Sequence, residues 1–214
     1  GPAAAFATHC DMDHDKGGWT LAYTSSDDGS NTWTWNNRDL WSNAATVGTA
    51  SAWHRDFKSA AAFSSTFKDM LVVHAPSGVW ASYHGVGDGT TTVAAHIKGV
   101  GGPVCYEPGK GGHKLSAGTL KVGGKLCDTS LYFNADDRDG NKTKCGDDEK
   151  SWGPTFNARS NQTCPWDDPG QSGSCGPSLS GPTTEFNARG FGVGLGLNKG
   201  QAGSGANHLG VYVR

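Results

Sequence analysis

The chain reads as a β-rich domain, built of many short strands joined by tight turns and carrying few helices. Three observations predict this. Glycine is very frequent (33 of 214 residues) and tryptophan abundant (8), a mixture suited to turns and half-buried strands. Several short segments alternate apolar and polar residues and end in Gly, Pro or Asp clusters. No apolar run approaches the length of a membrane span, so no membrane insertion is expected. A chain of this length buries roughly 70% of its unfolded surface, enough for a core that does not depend on disulfides alone. No linker composition interrupts it, so residues 3–214 are read as one domain. The opening Gly1-Pro2 looks like a protease-cleavage scar on a domain cut from a secreted precursor.

Taken in order, "WTLAYTS" (Trp19 to Ser25) is expected as a strand with Trp19, Leu21 and Tyr23 on one face. "DFKSAAAFSSTF" (Asp56 to Phe67) is the best helix candidate, with its alanine run beside Phe57. "TFKDMLVVHA" and "VWASYHGV" flank Pro76-Ser77-Gly78 and predict a hairpin. "TTTVAAHIKGV" and "SLYFNA" are read as further strands. From Asp136 to Pro182 periodicity almost vanishes, which marks a functional loop or one pinned by disulfides or a cation. "GFGVGLGLN" would place Gly190, Gly192, Gly194 and Gly196 on one strand face, where a flat ring or another backbone can approach. "HLGVYVR" reads as a closing strand.

The formal net charge of −2 argues against a nucleic-acid partner. Cys10, Cys105, Cys127, Cys145, Cys164 and Cys175 form an even set with no C-x-x-C, which disfavours zinc ribbons and redox motifs. Three disulfides in a secreted protein are expected, with the pairing left open. The sequons at Asn141 and Asn161 suit a glycoprotein of the same compartment. The eight histidines (His9, His14, His54, His74, His84, His96, His113 and His208) are scattered and contain no H-E-x-x-H. G-x-S-x-G and P-loop motifs are also missing, so the expectation is a binding protein and not an enzyme.

The stretch "DDRDGNKTKCGDDE" holds six of the 20 acidic residues: Asp136, Asp137, Asp139, Asp147, Asp148 and Glu149. With Asn141 they are the candidate metal ligands, because calcium takes six to eight oxygens from a flexible loop. Asp137, Asp139 and Asn141 alternate as EF-hand ligands do, and Asp148 falls at the twelfth place. Yet Lys142 stands where the turn glycine belongs, Cys145 interrupts the loop, and neither flank reads as a helix. The competing interpretation is a solvated acidic turn eased by Arg138, Lys142 and Lys144. Downstream, Trp152 and Trp166 lie among acids and cysteines, with Asp167 and Asp168 adjoining. Aromatic faces stack on sugar rings while carboxylates take the hydroxyls; the same tryptophans would equally cover a thin core.

"HCDMDHDKGGWTL" (His9 to Leu21) resembles the opening of fibrinogen-related domains and intelectins, which carry C-D-M and then G-G-G-W-T; Lys16 stands at the first glycine. "LYFNADDRDGNKTKCGDDEKSW" is similar to the fibrinogen-type calcium loop, which gives Asp137 and Asp139 the calcium-binding positions. "FNARSNQTC" is similar to the intelectin segment that approaches a glycan-bound calcium, keeping Asn157 and Arg159 but with Ala158 at its second asparagine. The closing "GVYVR" also resembles the intelectin end. The resemblance implies an α+β, β-rich fibrinogen C-terminal-like fold: a small central antiparallel sheet, few short helices, and long loops organised by disulfides and calcium. It further implies a secreted Ca2+-dependent lectin for glycans or cell-surface glycoproteins, with Trp152, Asn157, Arg159, Trp166, Asp167 and Asp168 at the ligand surface. The alternative is an extracellular protein-binding adhesion or assembly module with structural calcium. Oligomerisation, if any, would come through the parent protein.

Overall fold

The computed structural model describes residues 5–26, 28–30, 32–33, 37–75, 78–99, 113–114, 116–119, 121–122, 125–126, 129–133, 154–158 and 208–214. Its strands are β1 (Cys10–Asp11), β2 (Trp19–Ser26), β3 (Phe57–Lys58), β4 (Met70–His74), β5 (Val79–Tyr83) and β6 (His113–Lys114). They continue with β7 (Ala117–Gly118), β8 (Lys121–Val122), β9 (Lys125–Leu126), β10 (Thr129–Phe133), β11 (Pro154–Ala158) and β12 (His208–Val213). Among the described residues, three short α-helices, α1 (Asp39–Ser42), α2 (Ala61–Ser64) and α3 (Val93–Gly99), accompany them. Among the described residues no helix is long and apolar enough to cross a membrane.

The main sheet is antiparallel and runs β1-β2-β12-β4-β5-β7, with β3 beside β1 on the outer edge of β2. The last strand, β12, is therefore its centre. Leu209 and Val211 face one side while His208, Gly210 and Tyr212 alternate to the other, so both faces bury apolar surface. A Cβ at Gly210 would meet the Tyr212 ring at 2.6 Å, so any side chain there would require that buried ring to shift. The β4–β5 hairpin forms as expected, pairing Met70 with Tyr83 and His74 with Val79. Gly78 closes its turn at φ 65°, with its amide on the His74 carbonyl.

One face carries Tyr23, Met70, Val72, Ala81, Tyr83, Leu209, Val211 and Val213. Trp33 and Trp41 close over it, their rings 4.4 Å apart, and α3 adds Val93 and Ile97. The opposite face carries Trp19, Leu21, Phe57, Leu71, Val73 and Tyr212, flanked by the half-buried Trp53 and Trp80. Trp19 and Leu21 thus face away from Tyr23, against the single face expected from alternation. A bulge is the cause: Val211 pairs with Tyr23 and Tyr212 with Leu21, which leaves Ala22 as the extra residue. Its carbonyl is satisfied by the Ser59 amide (3.0 Å), and the Ser59 hydroxyl donates to the Leu21 carbonyl (2.6 Å).

Two expected elements change type. The helix over 56–67 contracts to one turn, α2, because Phe57 and Lys58 are drawn into pairing with Thr24 and Tyr23 of β2. Beyond that turn, Thr66 bridges to Thr92. The strand expected in "TTTVAAHIKGV" is largely the helix α3. Thr92 caps it, its hydroxyl accepting from the Ala95 amide at 3.2 Å, and Val93, Ala94 and Ile97 then fall on one buried face.

The strand expected from "SLYFNA" forms as β10 and centres a second sheet, ordered β11-β10-β6. Leu131 and Phe133 join the first core, where the Phe133 ring meets His96 at 4.9 Å and His96 meets Phe67 at 5.5 Å. A β-rich domain with an antiparallel sheet and few helices is thus what the chain forms.

Candidate functional site

Most of the residues singled out for calcium and sugar lie outside the described residues: Asp136, Asp137, Asp139, Asn141, Asp147, Asp148, Glu149, Trp152, Arg159, Trp166, Asp167 and Asp168. So do Cys105, Cys127, Cys145, Cys164 and Cys175, and the strand expected at 190–198. Cys10 is exposed and has no disulfide partner among the described residues. Asn157 lies on β11, paired in register with Ser130 of β10.

What is described is the pair of strands on either side of the acidic stretch. β10 and β11 are antiparallel from Thr129↔Ala158 to Phe133↔Pro154. Phe133 is the last residue of one strand and Pro154 the first of the other, so positions 133 and 154 sit side by side. Both are buried, and Phe133 is locked into the main core. The two ends of the segment carrying all six acids are thus paired and buried. Among the described residues no group of three or more His, Cys, Asp or Glu side chains is placed to hold a metal ion.

The motif His9–Leu21 is described in full. Asp11 starts a turn, its Oδ1 accepting from the amides of Asp13 and His14 at 3.0 Å each, while Oδ2 meets His14 Nδ1 at 2.7 Å. The His14 carbonyl accepts from the Gly17 amide and the Trp19 indole N–H, both at 2.8 Å. Asp15, Lys16, Gly17 and Gly18 all have positive φ (41°, 72°, 73° and 79°). Gly17 is obligatory, since a Cβ would lie 2.6 Å from the Met12 carbonyl oxygen. Lys16 holds a left-handed conformation that a side chain disfavours, so the position suits the glycine of the motif it resembles.

Arg214 fastens this turn to the sheet. Its Nη1 donates to the carbonyls of Asp15 (2.8 Å) and Gly17 (3.0 Å), and its Nε to Asp69 Oδ2 (3.2 Å). The guanidinium stacks 4.0 Å above the Trp19 ring. Asp15 Oδ2 lies 3.5 Å from Arg214 Nη2, accepts from the Ser82 hydroxyl (2.8 Å) and meets His84 Nε2 (2.6 Å). Burial opposes ionisation of Asp15, but the bonds from His84 and Ser82 and the charges of His84 and Arg214 outweigh it, so its pKa is lowered. A serine, an aspartate and a histidine meet here, yet the carboxylate stands between the other two. Activation of a hydroxyl requires the imidazole in the middle, so this trio is a brace for the turn. Sequence reading recognised the motif but missed the partners Ser82, His84 and Arg214, which nothing local to it announces.

A second cation, this one buried, lies on the other side of β2. Lys58 is fully buried, and its Nζ donates to the carbonyls of Leu40 (2.5 Å) and Asn43 (2.6 Å) and to Asn43 Oδ1 (3.2 Å). These oxygens belong to the C-terminal end of α1, where a positive charge is favourable. Burial nevertheless lowers its pKa to about 8.

No protein-family model and no curated protein matches this chain.

Proposed function

We propose that the chain is a secreted, calcium-dependent carbohydrate-binding domain of the fibrinogen-related type. Asp136, Asp137, Asp139, Asn141, Asp147, Asp148 and Glu149 are the pool of calcium ligands, with Asp137 and Asp139 foremost. Trp152, Asn157, Arg159, Trp166, Asp167 and Asp168 provide the ligand surface. The observation that carries this reading is the Phe133↔Pro154 pairing: two buried residues hold together the ends of the segment bearing all six acids. A hard cation needs six to eight oxygens brought close, and fixed ends reduce the entropy lost in gathering them. The six acids of this stretch outnumber its basic residues Arg138, Lys142 and Lys144, and a bound cation would offset the remaining repulsion. Calcium so held offers open positions to vicinal hydroxyls, while a tryptophan face covers the apolar side of the sugar.

Calorimetric titration with calcium, followed by glycan-array binding with calcium and with chelator, tests the proposal. The intact chain is expected to bind calcium and glycans together, and Asp137→Asn/Asp139→Asn to lose both while keeping its thermal transition in chelator. Calcium binding without glycan recognition, combined with specific capture of an extracellular protein, would replace the lectin by the adhesion module. No calcium heat at all would remove both.

A further inference from the structure

We draw no further inference here: the strongest candidate, the histidine-rich end of the main sheet where His9 and His208 flank Trp53 beside His54 and His74 lies on the neighbouring strand β4, carries nothing because strand alternation puts His74 and His208 on opposite faces and an acid response there would rest on the lowered pKa of His74 alone.

Discussion

The Arg214 turn and the Lys58 pocket both bring a positive charge into the protein, but they surround it differently. Arg214, one-quarter exposed, is met by Asp15 and Asp69, two backbone carbonyls and an aromatic face. Lys58, fully buried, is met among the described residues by amide oxygens and by the rings of Tyr23 and Phe63, 5.9 and 5.5 Å away. A planar guanidinium uses its fork to join several partners at once, whereas an ammonium is a compact point charge that loses more hydration on burial. The first arrangement therefore ties distant segments together. The second keeps its charge at a cost, which appears as the depressed pKa of Lys58.

Replacing each cation by a linear apolar side chain should separate them. Arg214→Met strips donors from the Asp15 and Gly17 carbonyls and leaves the Asp15 and Asp69 carboxylates without the guanidinium they share. It should cost about 3 kcal/mol, or roughly 6–12 °C in Tm by calorimetry. Asp15→Asn is next, at about 2 kcal/mol by urea unfolding, since Ser82, His84 and Arg214 all lose their shared acceptor charge. Combined with Arg214→Met it should cost less than the sum of the two, because the pair is in contact; strict additivity would break the clamp into unrelated parts.

Lys58→Met should cost about 1 kcal/mol or less, the lost bonds to α1 being offset by relief of the buried charge. A loss as large as that of Arg214→Met would erase the distinction. Its pH signature is sharper. Unfolded Lys58 holds its proton to about 10.5 but the folded residue releases it near about 8. Between those values the unfolded chain binds more protons, so stability rises with pH. Above about 10 the buried Tyr23, Tyr83 and Tyr212, whose pKa values are raised by desolvation, reverse the slope, because they ionise only on unfolding. Urea midpoints should therefore climb from pH 8 to 10 in the intact chain and stay flat in Lys58→Met. The smallest effect is expected at Lys16→Gly, a gain of about 0.5 kcal/mol from relief of the left-handed backbone less the added freedom of the unfolded chain.

Several elements were legible from local pattern. Residues 19–26, the 70–83 hairpin and the terminal strand all follow from alternation and turn chemistry. "TTTV" misled because β-branched residues also precede helices, where Thr92 serves as a cap. The helix over 56–67 failed for a non-local reason: Phe57 and Lys58 pair with residues more than thirty positions away. Of the candidate site, Asn157 is placed on β11, and the pairing of 133 with 154 was not foreseen from the acids themselves.

By itself, the sequence determined the β-rich class and the main strands, because periodicity and glycine placement act over a few residues. Only the tertiary structure decided that the last strand is the centre of the sheet, and that a bulge at Ala22 sends Trp19 and Tyr23 to opposite faces. It also decided where the two cations go: Lys58 to carbonyls 15 and 18 residues away, Arg214 to others 197 and 199 away. Backbone carbonyls are the same at every residue, so which of them receives a buried charge is settled when distant segments pack, and no local pattern records it.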